Sequence, residues 1–177
     1  MRRVAMGAVC ALLMAGAASA ALPVGAKAPE FKAQASMGGK VFNFDLAAAL
    51  KKGPVVLYFY PAAFTPGCTL EAHAFADATD DFGKYKASVI GVSRDPIDKL
   101  NKFSVSECRS KFPVAADTDG AITKEYDVVL KMKPELADRT SYVIGPGGKV
   151  VYAYSSLDPS KHVENTMTAV KGLSTGK

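Results

Sequence analysis

The chain has 177 residues, 49% of them apolar, and carries 22 lysines and arginines against 17 aspartates and glutamates. That size suits one domain with a proper core. The small positive excess is scattered, with no basic block and no aromatic residues interleaved with arginines, which argues against nucleic-acid binding.

Arg2 and Arg3 precede an apolar run, Val4 to Ala17, and then Ala18-Ser19-Ala20, a small-x-small cleavage pattern. This predicts a secretory signal peptide over 1–20, too short and wrongly flanked to span a bilayer, and with it export to the periplasm. No later run is long enough to cross a membrane. A single mature domain, 21–177, is expected to keep two cysteines, Cys68 and Cys108, in an oxidising setting where a pair could be a staple.

Phe31 to Ala35 and Lys40 to Phe44 read as two short strands around Met37-Gly38-Gly39, an N-terminal hairpin. Asp45 caps a short helix from Leu46 to Lys51. Val55 to Tyr60 is a continuous apolar, β-prone run, the pattern of a strand buried on both faces. A helix from Pro66 to about Phe82 follows, with Leu70, Ala74 and Ala78 recurring at helical spacing. Val89 to Ser93 is a second buried strand. Asp95 and Pro96 read as a cap and a first-turn proline, opening a helix to about Cys108. A short helix spans Ala121 to Tyr126. Thr140 to Ile144 and Lys149 to Tyr154 form a hairpin, and Asp158-Pro159 opens a last helix to about Leu173. Two strands joined through a helix are parallel with a right-handed crossover, and the hairpin adds antiparallel strands. The expected fold is α/β and thioredoxin-like, with a mixed central sheet flanked by helices.

In such sheets, sites lie at the carboxyl ends of the strands. The carboxyl end of Val55 to Tyr60 leads into Phe64-Thr65-Pro66-Gly67-Cys68, so Cys68 stands at a helix start. Backbone N–H groups there lack partners and the dipole favours negative charge, which favours the reactive thiolate. The run Pro61-x-x-x-Thr65-x-x-Cys68 resembles the active-site motif of the peroxiredoxins. Glu71 and the run Arg139-Thr140-Ser141-Tyr142-Val143-Ile144 also match that family. The form Thr65-Pro66-Gly67-Cys68-Thr69 is similar to the bacterioferritin-comigratory, or Q-type, subfamily, and the resemblance covers nearly all of the mature chain. It implies a thiol-dependent peroxidase of antioxidant defence, acting on hydrogen peroxide and organic hydroperoxides through a sulfenic acid at Cys68, with no cofactor.

An ordinary thiol is about 3% ionised at pH 7, so complete ionisation gains only about thirtyfold, while nucleophilicity falls as acidity rises. The remaining acceleration must come from holding the peroxide oxygens in line and stabilising charge as the O–O bond breaks. The resemblance assigns those tasks. Arg139 donates to the peroxide and the sulfur. The Thr65 hydroxyl accepts from the peroxide and donates towards the sulfur. Pro61 shapes and shields the loop, and Glu71 orients Arg139.

Many members of the subfamily carry a second cysteine five residues after the first, where this chain has His73. Cys108 is then the candidate resolving cysteine, or else a core residue sharing a helical face with Leu100 and Phe103. It lies thirteen residues past Asp95, roughly 20 Å along a straight helix, whereas a disulfide needs Cα atoms within about 7 Å. Without internal resolution, an outside thiol, thioredoxin-like or other, reduces the sulfenic acid. His73 reads as an ordinary helix residue, and His162 has no visible partner. Neither histidine has metal-site spacing to the cysteines, so no metal is expected. The remaining expectations are a monomer or weak homodimer and no membrane partner after signal cleavage. Two other readings stay open: a thiol–disulfide oxidoreductase, for which Cys68-Thr69-Leu70-Glu71 lacks the second thiol, and a non-enzymatic exported module stapled by Cys68 and Cys108.

Overall fold

The structure is a computed structural model describing residues 21–175; the expected signal peptide, 1–20, lies outside the described residues. Seven strands form one sheet: β1 (Lys32–Met37), β2 (Lys40–Asp45), β3 (Val55–Phe59), β4 (Ser88–Ser93), β5 (Val114–Ala116), β6 (Thr140–Ile144) and β7 (Val150–Ser155). Their order is β2-β1-β5-β4-β3-β6-β7. β3 and β4 are parallel, as a strand–helix–strand crossover requires, and β4 and β5 are parallel as well. The β1–β2 and β6–β7 hairpins are antiparallel.

Among the described residues, five α-helices cover the sheet: α1 (Leu46–Leu50), α2 (Pro66–Lys84), α3 (Ile97–Ser106), α4 (Ala121–Glu125) and α5 (His162–Thr175), the last entered through a 3-10 turn, Pro159–Lys161. Asp45 caps α1 as expected, accepting from the Ala48 N–H. Side chains alternate along a strand, so β3 feeds two cores. Val55, Leu57 and Phe59 pack with Leu46, Leu50, Ile122 and Tyr126 on one face. Val56 and Tyr58 pack with Phe75, Phe82, Phe103 and Val170 on the other. The Tyr58 ring stacks on Phe75, with centroids 4.4 Å apart, and leans over Gly91, where a Cβ would come within 2.8 Å of it.

Several expectations need correction. α2 does not bury Leu70, which is 62% exposed. Its inward stripe is Cys68, Glu71, Ala72, Phe75, Ala76 and Phe82, and Leu70 stands some 200° around the axis from Cys68 at about 100° per residue. Asp95 does not cap α3; Pro96 holds that position. α3 also ends at Ser106, so Cys108 lies beyond it, where the chain reverses through Arg109 and Ser110 at positive φ. β5 was not foreseen as a strand, being only three residues long. His162 is fully buried and hydrogen-bonded, not without a partner.

Candidate active site

β3 ends at Phe59, and the chain crosses Pro61 to Phe64 before α2 begins. Asp95, at the neighbouring carboxyl end of β4, fastens this loop. Its carboxylate accepts from the Ala63 N–H at 2.7 Å, from Ser93 Oγ at 2.9 Å and from Lys99 Nζ at 2.7 Å. Phe64 has φ 68°, an unfavourable conformation for a bulky side chain, and sets its ring edge-on to Phe103 at 5.2 Å. This turn delivers Thr65 to the N-cap of α2 in extended conformation.

Thr65 behaves differently from expectation. Its hydroxyl donates to the Ala62 carbonyl at 2.9 Å and makes no cap bond to the helix. The proton expected to point at the sulfur is thus already committed, and the exposed Thr65 oxygen presents lone pairs. Pro61 is half-buried beside it. The first helical bond runs from Thr69 N to Thr65 O, so the Gly67 and Cys68 amides lie ahead of the helical ladder.

Cys68 is 1% exposed, with Tyr58, Tyr60 and Ala72 in the same apolar cluster. Arg139, the residue before β6, lies against the sulfur. Its Nη2 donates to Cys68 Sγ at 3.4 Å, Nη1 donates to Glu71 Oε2, and Nε donates to the Leu157 carbonyl at 3.0 Å. A planar guanidinium held at all three nitrogens has little freedom to swing. Burial works against the Arg139 charge, but Glu71 and Cys68 outweigh it and hold the guanidinium protonated. Burial pushes the Glu71 carboxyl up to about 8, against the pull of Arg139.

The sequence-derived set Pro61, Thr65, Cys68, Glu71 and Arg139 therefore gathers at one sheet end. Cys108 lies beyond α3, in the same buried cluster as Cys68. It is buried and free, as Cys68 is, and burial, reinforced by Glu107, pushes its thiol well above the usual range. The buried hydroxyls of Tyr58 and Tyr60 lie within electrostatic reach of both cysteines; Ser93 neighbours that of Tyr60, and that of Tyr58 has no hydrogen-bond partner among the described residues. Three pairs fasten the Cys108 segment to α2: His73 to Glu107 at 2.8 Å, Asp77 to Arg109, and Asp80 to Lys111 at 3.2 Å. His73, an ordinary helix residue of α2 as expected, supplies one of these ties.

A cleft of about 490 Å³, lined in part by Gly53, Pro54, Lys84 and Leu173, lies at the opposite end of β3 and contains none of the site residues.

Residues 24–153 match the AhpC/TSA family model. The chain belongs to the AhpC/TSA family of peroxiredoxins. Peroxiredoxin Q of rice chloroplasts is 35% identical over 148 residues, covering 78% of this chain and 68% of that protein. The crystal structure of peroxidoxin BcpB from Mycobacterium tuberculosis superposes with a TM-score of 0.76 at 31% identity, covering 85% of this chain and 97% of that one. Peroxiredoxin Q of Xanthomonas campestris superposes with a TM-score of 0.69 at 30% identity, over 78% and 89% of the two chains. The fold is thus thioredoxin-like and the protein is a thiol-dependent peroxidase, an oxidoreductase.

Three supports of this peroxiredoxin site were not foreseen: Asp95, the Leu157 carbonyl and His162. A fourth is the narrow space beside Gly67. A Cβ at Gly67 would stand 3.1 Å from Arg139 Nη2. Gly67→Ala is expected to displace the guanidinium by a few tenths of an ångström and to lower the rate constant with peroxide about tenfold. Thermal stability should hold or rise slightly, because alanine favours the helix. Stopped-flow kinetics beside a melting curve checks both; an unchanged rate constant would show that the arginine position is not critical.

Proposed function

We propose that this peroxiredoxin is an exported, periplasmic enzyme in which Cys68 takes an oxygen atom from hydrogen peroxide or an organic hydroperoxide. The thiolate attacks the terminal peroxide oxygen, the S–O bond forms and the O–O bond breaks. The departing oxide takes up a proton as water or an alcohol, and the sulfur is left as sulfenic acid. A reducing thiol then forms a disulfide with Cys68 and releases water. A second thiol restores the starting thiol.

The observation that carries this reading is the Arg139 Nη2 donor 3.4 Å from the Cys68 sulfur. Its fixed orientation suits it to charge that moves from sulfur to the departing oxygen. The Thr65 lone pairs are free to accept from the peroxide, with Pro61 closing the loop beside them. Glu71 orients the guanidinium from the side away from substrate.

For reduction of the sulfenic acid, the burial and weakened acidity of Cys108 favour an outside thiol, thioredoxin-like or other. Only a thiolate attacks efficiently, and Cys108 must first be freed from α2 to serve as the resolving cysteine. The stapled-module reading has little support, both cysteines being free. Export is supported by the pattern of residues 1–20, and the molecule is taken as a monomer or weak homodimer.

Peptide mapping after one equivalent of peroxide, in the presence of dimedone, tests the scheme. The adduct is expected on Cys68. A Cys68–Cys108 disulfide would overturn the outside-thiol route, and an adduct confined to Cys108 would overturn the assignment of Cys68.

A further inference from the structure

Glu71 is incompletely partnered. Oε2 accepts from Arg139, whereas Oε1 is buried with no hydrogen-bond partner among the described residues. Facing Oε1 is the imidazole of His162, with Nδ1 at 3.5 Å; both side chains are buried. α5 carries His162 there because α5 packs beside α2 and against β6.

The ring's hydrogen bonds fix its tautomer. Nε2 lies 2.9 Å from the Ser156 carbonyl, which can only accept, so Nε2 carries a proton. Nδ1 lies 2.8 Å from Ser141 Oγ and, in the neutral ring, accepts from that hydroxyl. Burial drives the ring down to about 4, so it is neutral at ordinary pH. An ionised Glu71 would set the lone pairs of Oε1 against the lone pair of Nδ1. A protonated Glu71 can direct its O–H at Nδ1, in competition with the Ser141 hydroxyl for the single lone pair there, while Oε2 still accepts from Arg139.

The identity of the anion facing Arg139 matters to catalysis. One guanidinium stands between Glu71 and Cys68. If both are ionised, they share its charge. If Glu71 is neutral, the charge is left to the sulfur and to the oxygen that departs from it.

We propose that His162 is a positioning residue for peroxide reduction: through Nδ1 it favours the protonated carboxyl at Glu71 and so leaves the Arg139 charge to Cys68. This rests on the Cys68–Arg139 reading above. The groups facing the pair are Arg139, Cys68 and Tyr58 around Glu71, with Arg139, Asp158, Tyr154 and the Ser141 hydroxyl around His162.

The direction of the pH effect follows. The Glu71 carboxyl is raised to about 8, so it keeps its proton below that pH and loses it above. The rate constant with peroxide should therefore fall as pH climbs through about 8, although rising pH can only increase the thiolate fraction.

The test is the pH profile of that rate constant in wild type, Ser141→Ala, His162→Gln and His162→Asn. Ser141→Ala removes the donor competing for Nδ1, so the alkaline fall should move to higher pH. His162→Gln keeps a donor for Ser156 but loses the acceptor at Nδ1. Its fall should move to lower pH, with about tenfold lost at pH 7. His162→Asn returns an acceptor oxygen to that place and should recover most of the loss. Infrared spectroscopy reads the carbonyl band of protonated Glu71, assigned by its absence in Glu71→Gln, and should show the same midpoints.

Unmoved midpoints, or shifts in the same direction for Ser141→Ala and His162→Gln, would overturn the proposal and leave His162 a packing residue. If His162→Gln does not fold, the upward shift in Ser141→Ala decides alone. Should peroxide consumption not depend on Cys68, the reading above fails instead, and the infrared midpoints still report whether His162 governs Glu71.

Discussion

Cys68→Ser is expected to abolish peroxide consumption, by at least about four orders of magnitude, while the protein stays folded. A serine hydroxyl is not appreciably ionised at any working pH, and an alkoxide is far too costly to form beside one guanidinium. The fold should tolerate the change. Cys68 is 1% exposed and its sulfur already receives a hydrogen bond from Arg139 Nη2, which the smaller oxygen can keep, so the stability change should stay within about 1 kcal/mol. Stopped-flow kinetics with hydrogen peroxide and with an organic hydroperoxide, beside circular dichroism, measures both. Residual turnover in a folded variant would move the chemistry to Cys108. A variant that melts far below wild type would instead recast Cys68 as a structural thiol.

What could be seen in advance follows how local each interaction is. Pro61, Thr65 and Cys68 lie on one strand–turn–helix passage, so their spacing alone places them together. Cys68 at the third helical position follows from Thr65-Pro66 as cap and first residue. Arg139 and Glu71 are distant in sequence and were legible only through the family resemblance. The rest of the support depends on how the strands register and which helices touch. The Leu157 carbonyl reaches Arg139 Nε because β6 and β7 pair with Thr140 opposite Ser155. His162 reaches Glu71 because α5 packs beside α2, and nothing around position 162 announces that neighbour. Asp95 looked like a cap by residue type, but its carboxylate instead crosses to the next loop. The phase of α2 was misread for a related reason. Leu70 is apolar and exposed, whereas Glu71 is polar and buried, because the inward stripe of α2 carries the carboxyl that meets Arg139.

Arg139→Ala is expected to lower the rate constant with peroxide by about 10²–10³, the usual loss when a fixed donor to developing charge is removed. Arg139→Lys should recover little of it. A single ammonium cannot reach the Leu157 carbonyl, Glu71 and the sulfur together, so charge without the planar fork is insufficient. The same substitution has a second consequence. Glu71 is buried, and Arg139 is the cation that draws its carboxyl down against the effect of burial. Without Arg139 the carboxyl must rise above its present value of about 8. A carboxyl raised in the folded state binds its proton more tightly there than in the unfolded chain, so stability falls as pH rises between the two values. Wild type should feel that fall from about pH 4.5 to about 8, whereas the variant should go on losing stability beyond it. The stability gap between Arg139→Ala and wild type is thus expected to be small in mild acid and to widen between about pH 8 and pH 9 by up to about 1.4 kcal/mol, the most that one proton per pH unit allows, and melting temperatures across that range read it. Adding Glu71→Gln to Arg139→Ala should remove the widening, because an amide has no proton to lose. A gap that stays constant with pH would mean that Glu71 does not depend on Arg139 for its charge, and the pairing that holds the guanidinium against the sulfur would have to be abandoned.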